Sequence, residues 1–325
     1  MYSNSKILVA GCGAIGSVFG CLLREAGHTV ALLGRESHLK AIRTDGLRLD
    51  GIWGDHYADG FELATRADDL SGVYDLALIS VKAYDTESMA RNICPVVDRD
   101  GLVVSLQNGL GNLEILARIF GADRSLGANV LVGAMIPQAG RVTVTVQAAP
   151  VIIGPLEMAD CVTLERIHHW IRAFKRADIP CEATVRILSY LWAKIFYNAP
   201  LNALGALLRV HYGVLSEIAE LRQIMDRLID EAFVVAKTNG VELLWNTVED
   251  YRALFYHHLV PSTYNHQSSM LQDLRRGRRT EIGAINGAIW RYGERLGIPT
   301  PFNEIMTRLI WERERSVEKP AEFRP

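Results

Sequence analysis

The sequence has no apolar run that approaches the roughly 20 residues of a membrane-spanning helix. Its five cysteines are scattered and none forms a CxxC pair, so neither a disulfide framework nor a zinc knuckle is indicated. An excess of one charge is also missing, because 35 basic and 37 acidic residues give a net charge of -2. This balance argues against a surface devoted to nucleic acid or anionic lipid. With only 11 prolines and no low-complexity segment, a disordered or fibrous chain is excluded.

What remains is an ordinary globular composition, with 49% hydrophobic and 22% charged residues. The length of 325 residues exceeds that of a usual single domain, which predicts two domains. We therefore expect a cytoplasmic protein with reduced, mostly buried cysteines, and with neither a membrane nor a nucleic acid as partner.

Short apolar segments alternate with amphipathic stretches from the start of the chain to about residue 185. This rhythm is typical of a parallel sheet covered by helices. A small hairpin is predicted between Gly46 and Phe61, and two or three strands over residues 125–153. The main predicted strands are Lys6–Gly11, His28–Leu33, Asp75–Ser80 and Leu102–Leu106.

After Val185 the apolar residues recur with the helical period of 3.6. We predict an α/β fold in which a Rossmann-type doubly wound sheet over residues 1–185 precedes an all-helical domain over residues 186–325. The predicted long helices are Leu188–Leu208, Ser216–Asn239, Val248–His258, Ser268–Arg275, Glu281–Leu296 and Pro301–Ser316.

A glycine motif joins the first predicted strand to a helix predicted over Ala14–Ala26. It reads Gly11-Cys12-Gly13-Ala14-Ile15-Gly16 and matches GxGxxG, which in this context predicts a dinucleotide site. Gly11 would allow the tight turn, Gly13 the approach of a pyrophosphate, and Gly16 close packing of the helix on the sheet. All six residues are candidate cofactor contacts. The alternative is a glycine-rich turn without a ligand.

The second predicted strand ends Leu33-Gly34-Arg35. An acidic residue at this place would hold the ribose 2′-hydroxyl of NAD, whereas an arginine suits a 2′-phosphate. We therefore predict NADPH as the cofactor, with Arg35 as a contact. The adjacent Glu36 counts against this prediction, and Arg35 as a solvated loop charge is the alternative.

Two more predicted strands end in polar residues, Ser80-Val81-Lys82 and Gln107-Asn108-Gly109. Ligands of open α/β sheets bind beyond the carboxyl ends of the strands. Lys82 or Asn108 alone is more often a turn residue. Together with the glycine loop and Arg35, they favour a cofactor crevice.

In the helical half, Lys194, Asn198 and Asn202 recur every four residues within an otherwise apolar segment. The three side chains therefore share one helix face, and burying them without partners would be costly. Pro200 should distort this helix. A solvent-facing polar stripe is the alternative interpretation.

A second segment of the helical half runs from Ser268 to Asn286 and contains four arginines between residues 275 and 279. We interpret the arginines as a solvated face, because interleaved aromatic residues are missing and acids lie at both ends. Glu281 is predicted to begin an apolar helix, where its carboxylate could pair with a lysine.

These motifs, in this order, resemble those of the ketopantoate reductase (2-dehydropantoate 2-reductase) family across both domains. The most specific block is Ser269-Met270-Leu271-Gln272-Asp273 followed by Thr280-Glu281-Ile282. The resemblance implies NADPH-dependent reduction of 2-dehydropantoate to pantoate, a step of pantothenate biosynthesis.

The resemblance also implies roles for individual residues. Lys194 would be the proton donor, and Glu281 would assist it. Lys82 and Asn108 would contact cofactor or substrate, while Asn198, Asn202 and Ser269 would hold the 2-oxo acid. An ammonium suits this reaction, since it stabilises the charge developing on the carbonyl oxygen and supplies the proton.

Two departures from the family pattern bear on the substrate. Asn202 is followed by Ala203-Leu204-Gly205 instead of proline and then serine or threonine, and Tyr212 replaces an asparagine before Gly213. A reductase for another 2-oxo acid or ketone is therefore an alternative, as is a non-catalytic NADPH-binding regulator. A metal site at His257, His258 and His266 lacks ligand spacing. The last apolar helix stripes fit an intramolecular core or a homodimer surface equally.

Overall fold

The computed structural model describes residues 5–157 and 160–318. Backbone packing divides the chain into two compact units, unit 1 (Met1–Ile187) and unit 2 (Leu188–Pro325). The predicted fold class is confirmed: unit 1 contains a mainly parallel sheet flanked by helices, and the described regular elements of unit 2 are helical.

The strands are β1 (Lys6–Ala10), β2 (Thr29–Leu33), β3 (Leu47–Gly51), β4 (His56–Ala58), β5 (Glu62–Ala64), β6 (Tyr74–Ile79), β7 (Val97–Ser105), β8 (Ser125–Asn129), β9 (Val132–Gln138), β10 (Arg141–Gln147), β11 (Val151–Pro155) and β12 (Cys181–Ala183). The helices of unit 1 are α1 (Ala14–Glu25), α2 (Glu36–Asp45), α3 (Thr86–Ile93), α4 (Asn112–Phe120) and α5 (Cys161–Arg176). They are followed by α6 (Ile187–Leu208), α7 (Tyr212–Glu217), α8 (Ala219–Thr238), α9 (Val248–Leu254), α10 (Val260–Ser262), α11 (Ser269–Arg275), α12 (Asn286–Leu296) and α13 (Pro301–Glu318).

The larger sheet has the strand order β12-β11-β8-β7-β6-β1-β2-β5. The pairs from β8 to β5 are parallel, β11 runs antiparallel to β8, and β12 is parallel to β11. The four strands predicted from their apolar pattern lie at the centre of this sheet. Their continuous burial explains why they contain so few polar residues.

A second sheet has the order β4-β3-β10-β9. The predicted hairpin is confirmed as the antiparallel pair β3 and β4, and β10 joins β3 in parallel. Residues 125–153 contribute to four strands, β8 to β11, instead of the predicted two or three. The difference arises because β9 and β10 form a hairpin in the second sheet while β8 and β11 pair in the first.

Helix α1 packs against strands of both sheets. Its residues from Gly16 to Leu23 are all buried, so that no polar face is left on these two turns. A helix that is covered on several sides must be apolar all round, which explains the run Val18-Phe19-Gly20-Cys21-Leu22. The glycine loop is thus attached to one of the most buried helices of unit 1.

Three helix predictions for unit 2 need correction. The predicted helix Ser216–Asn239 is two helices that meet at Ile218, whose backbone is extended. The segment Val248–His258 passes from α9 into a π-helical turn at Phe255–Leu259. Glu281 does not begin a helix but precedes a 3-10 turn, Ile282–Ala284, after which α12 starts at Asn286.

An aromatic cluster lies in the core of unit 2. Phe196 of α6 lies 5.5 Å from Phe233 and 5.4 Å from Tyr251 between ring centroids, and Trp245 stacks edge-on to Tyr251 at 4.7 Å. These contacts fix the orientation of α6, the helix that carries Lys194. Among the residues described, no helix is long and apolar enough to cross a membrane.

Candidate active site

The carboxyl ends of four parallel strands lie level at one edge of the larger sheet. Ala10 of β1 is in register with Leu33 of β2 and with Ile79 of β6, and Ile79 is in register with Ser105 of β7. The loops that follow therefore emerge side by side. These are the predicted cofactor segments: the glycine loop, Gly34-Arg35, Ser80-Val81-Lys82 and Gln107-Asn108.

The glycine loop has the steric properties that a dinucleotide site requires. Gly11 has a φ of +112°, and a Cβ there would lie 2.6 Å from the Val81 nitrogen. A Cβ on Gly16 would lie 2.3 Å from the Gly11 carbonyl oxygen, whereas a Cβ on Gly13 would meet nothing within 4 Å. Gly11 and Gly16 thus serve close packing, and Gly13 borders open space.

The first turn of α1 can receive an anion at this open space. Gly13 occupies the N-cap position, and no side chain accepts a hydrogen bond there. The amides of Ala14 and Ile15 belong to the first helical turn, where N–H groups and the helix dipole favour a negative group. The residues present therefore fit the diphosphate of a dinucleotide. Cys12 does not compete for it, because its thiol is buried and desolvation raises its pKa to about 11.

Arg35 lies in the loop after β2, as predicted, and its side chain is exposed. It is the N-cap residue of α2. Gly34 before it is required by packing, since a Cβ there would lie 2.8 Å from the Cβ of Cys12. The Glu36 carboxylate lies 3.5 Å from the guanidinium of Arg43, which follows further along α2. Glu36 thus has a cationic neighbour on its own helix.

Lys82 and Asn108 are both half-buried. Lys82 precedes a 3-10 turn, Ala83–Asp85, and its carbonyl accepts a hydrogen bond from the Asp85 amide at 2.8 Å. The carbonyl oxygen of Asn108 accepts one from the side chain of Asn112 at 2.9 Å. The backbone of each residue is therefore held by its own loop.

Lys194 and Glu281 interact in unit 2. The Lys194 side chain is half-buried, and Glu281 is 9% exposed. Desolvation lowers the pKa of Lys194 to about 8, against the opposing effect of the Glu281 carboxylate, which raises it. The sequence predicted the pair, but a lysine in water has a pKa of about 10.4. Only the structure shows that burial brings the pKa of this ammonium close to neutral pH.

Glu281 is held by the residues on either side of it. Glu314 of α13 accepts hydrogen bonds from the Thr280 amide at 2.7 Å and from the Thr280 hydroxyl at 2.6 Å. The same hydroxyl oxygen accepts a bond from the Ile282 amide at 3.2 Å. The sequence did not predict a role for Glu314, which lies 34 positions after Thr280. No local pattern in the sequence indicated it.

The two asparagines of α6 differ in their surroundings. Asn198 is half-buried, whereas Asn202 is 5% exposed. The Tyr212 hydroxyl donates a hydrogen bond of 2.5 Å to the Asn202 Oδ1 atom. Tyr212, which departs from the family pattern, thus binds the oxygen of the Asn202 amide. The departure from the family pattern at Tyr212 was the only signal in the sequence for this contact.

Ser269 is exposed at the first position of α11, next to a serine with a structural role. The Ser268 hydroxyl accepts a hydrogen bond from the Leu271 amide at 3.0 Å and donates one of 3.3 Å to the Asn202 carbonyl. Ser268 therefore caps α11 and joins it to α6. This leaves Ser269 as the serine of the pair that faces outward.

Comparison with known proteins identifies the family. The model for "Ketopantoate reductase PanE/ApbA" matches residues 7–158, and the model for its C-terminal part matches residues 186–314. A 2-dehydropantoate 2-reductase of Aquifex aeolicus is 35% identical over 309 residues, which cover 95% of this chain and 97% of that protein. A Pyrococcus horikoshii protein of the same name is 32% identical, with coverage of 95% and 97%.

Solved structures agree with this result. A PanE/ApbA family ketopantoate reductase from Ralstonia eutropha has a TM-score of 0.85 and 31% identity, covering 96% of this chain and 99% of that one. D-mandelate dehydrogenase with NADH and anilino(oxo)acetate also has a TM-score of 0.85, with 25% identity and the same coverage. Because the family models match both units and the relatives align along almost the whole length, the chain belongs to the ketopantoate reductase family of oxidoreductases.

Proposed function

We propose that this protein reduces 2-dehydropantoate to pantoate with NADPH, and that Lys194 donates the proton. The observation that carries the proposal is the pairing of Lys194 with Glu281, in which burial lowers the pKa of the lysine to about 8. A proton donor is most effective when its pKa lies near the working pH. The names of the Aquifex aeolicus and Pyrococcus horikoshii relatives support this choice of substrate.

In this proposal residues 1–185 form the cofactor domain. The backbone amides at the start of α1 bind the diphosphate, with Gly13 leaving room for it. Lys82 and Asn108, from the neighbouring strand ends, complete the binding surface. A bound nicotinamide dinucleotide would supply the hydride.

Residues 186–325 form the substrate domain. The Lys194 ammonium binds the oxygen of the ketone, stabilises the negative charge that develops there and then releases its proton to it. The Glu281 carboxylate stabilises the charged form of Lys194. Asn198, Asn202 and Ser269 hold the other oxygens of the 2-oxo acid, which they can do without adding charge.

Replacing Lys194 tests the proposed proton donor. Lys194→Ala should lower kcat for 2-dehydropantoate reduction by about 10²- to 10⁴-fold, the usual contribution of a general acid. The dissociation constant of NADPH should change little, since Lys194 is assigned to the substrate. Lys237→Ala removes an exposed lysine of unit 2 and serves as the control. Full turnover by Lys194→Ala would refute the assignment.

Replacing Arg35 tests the preference for NADPH. A charged hydrogen bond to a 2′-phosphate is worth about 1.5–3 kcal/mol, so Arg35→Ala should weaken NADPH binding by roughly tenfold or more. NADH binding should be unaffected. Arg43→Ala is the matched control, because it removes an exposed arginine from α2, the helix that follows Arg35. An unchanged ratio of the two affinities in Arg35→Ala would contradict the prediction.

A second candidate substrate is another 2-oxo acid. The bond from Tyr212 to Asn202 favours it, because that amide oxygen is engaged within the protein. The likeness to D-mandelate dehydrogenase, whose structure contains anilino(oxo)acetate, points the same way. Kinetics with 2-dehydropantoate and a panel of 2-oxo acids separate the candidates by kcat/KM. Failure to oxidise NADPH with any of them would favour a non-catalytic NADPH-binding regulator.

A further inference from the structure

A chain of buried polar side chains connects the loop that carries Lys82 with the loop that carries Asn108. Its members are Gln107, Thr86 and Asn112, which are 6%, 0% and 4% exposed. They come from two different segments, since Thr86 begins α3 and Asn112 begins α4. Leaving polar groups so deeply buried without hydrogen bonds is costly.

Gln107 makes the first part of the connection. Its side-chain Oε1 accepts a hydrogen bond from the Ser105 hydroxyl at 3.0 Å. Its Nε2 group donates one bond of 2.9 Å to the Val81 carbonyl and another of 2.8 Å to the Thr86 hydroxyl oxygen. The glutamine beside Asn108 thus holds the backbone of the residue beside Lys82.

Thr86 and Asn112 make the return connection. The Thr86 hydroxyl oxygen lies 2.8 Å from the Asn112 Oδ1 atom and 2.8 Å from the Ala83 carbonyl, either of which can accept its single proton. The Asn112 Nδ2 group donates a bond of 2.9 Å to the carbonyl of Asn108. The chain therefore runs from the neighbour of Lys82 to Asn108 itself.

The hydroxyl of Thr86 is the central link. It accepts from Gln107 and donates onward, so its removal would leave a buried amide proton without an acceptor and weaken both halves of the chain. If these polar side chains only filled space in the core, apolar side chains of the same shape could replace them. Here, instead, both ends hold backbone groups beside the two proposed cofactor contacts.

We propose that Thr86 and Gln107 are positioning residues, which set the spacing of Lys82 and Asn108 before the dinucleotide binds. This inference rests on the proposed function only in assigning Lys82 and Asn108 to the cofactor. Preorganisation of this kind favours binding, because the loops need not be ordered when the ligand arrives.

The test uses Thr86→Val, which keeps the shape of the side chain and removes its hydroxyl. The control is Ser125→Ala, which removes another fully buried hydroxyl of unit 1, one that donates to the Gly121 carbonyl at 2.8 Å. Both variants should lower the Tm of the nucleotide-free protein. Only Thr86→Val should raise the dissociation constant of NADPH, by about tenfold. Thr86→Ser, which retains the hydroxyl, should restore it.

Hydrogen exchange of the nucleotide-free protein gives a second readout. In Thr86→Val, amides of residues 82–86 and 108–112 should exchange faster than in the wild type, and in Ser125→Ala they should not. If Thr86→Val does not fold, Asn112→Ala provides the comparison. It releases the Asn108 carbonyl and removes the Oδ1 atom beside the Thr86 hydroxyl, but it leaves the Gln107–Thr86 bond in place and the Ala83 carbonyl as an acceptor for Thr86. It should then show the weaker NADPH binding.

Unchanged NADPH affinity in a folded Thr86→Val or Asn112→Ala variant would overturn the positioning role, and equal losses in Ser125→Ala would do the same. Failure of the proposed function looks different: the wild-type protein itself would not bind NADPH. In that case the altered exchange of both loops in Thr86→Val would still support the connection between them, and its absence would dismiss it.

Discussion

At the scale of single residues, the proposed chemistry depends on how burial changes the pKa of Lys194. Desolvation disfavours the ammonium, and Glu281 partly restores it, which leaves a pKa of about 8. Such a lysine is still mainly protonated at neutral pH, yet it gives up its proton more readily than a lysine in water. The sequence predicted both residue types at this site. It could not predict the pKa, because desolvation depends on residues distant in the chain.

Glu281→Gln should move the pH profile of the reductive reaction. As the proposed proton donor Lys194 must be protonated, so the rate should fall as the pH rises through the pKa of Lys194, about 8 in the wild type. Loss of the carboxylate charge lowers this pKa, and the alkaline limb of kcat/KM should shift to lower pH by about one unit or more. Glu294→Gln, at an exposed glutamate of α12, should leave the profile unchanged. An unshifted limb in Glu281→Gln would refute the coupling.

At the scale of elements, the glycine motif was the most predictable feature. Its meaning came from neighbours along the chain, an apolar strand before it and an apolar helix after it, and the structure has both. The division of helix Ser216–Asn239 at Ile218 was not predictable in this way. The apolar period continues across the break, and neither glycine nor proline marks it. The start of α12 after Glu281 was not predictable either, because Glu314 of α13 binds the amide and hydroxyl of Thr280, the residue before Glu281.

Two alanine substitutions separate packing from binding in the glycine loop. Gly16→Ala places a Cβ 2.3 Å from the Gly11 carbonyl oxygen. Such overpacking should destabilise the protein by about 1–3 kcal/mol in denaturant unfolding. Gly13→Ala meets open space and has a negative φ of -88°, so stability should hardly change. NADPH affinity should fall nonetheless, since the methyl group occupies the place of the diphosphate. A stable Gly16→Ala, or a Gly13→Ala that binds normally, would contradict this division.

At the scale of the whole molecule, the sequence predicted the structural class of each unit but not every pairing of its strands. The alternation of strands and helices predicted the main sheet, and the helical period predicted unit 2. The second sheet was missed, because β3 and β10 pair although about 90 residues separate them. Pairing across such a distance leaves no periodic signal in either segment.

Hydrogen exchange of the complete protein with and without NADPH tests whether the dinucleotide binds at the carboxyl ends of the strands of unit 1. We expect slower exchange after nucleotide addition in the loops that follow β1, β2, β6 and β7, because binding orders their amides. Peptides from β9 and β10 provide the internal reference and should not change. Protection confined to other segments would show that the dinucleotide binds elsewhere.

By itself, the sequence determined the central strands of the main sheet, the helical character of unit 2, the place of the glycine loop and the residue types available for a reduction. These properties depend on neighbours along the chain, through side-chain periodicity and the sterics of glycine. The tertiary structure alone decided the pKa of Lys194, the engagement of Asn202 by Tyr212 and the buried chain through Thr86. Each depends on which distant residues exclude water or donate a hydrogen bond, and that is set only when the chain has folded.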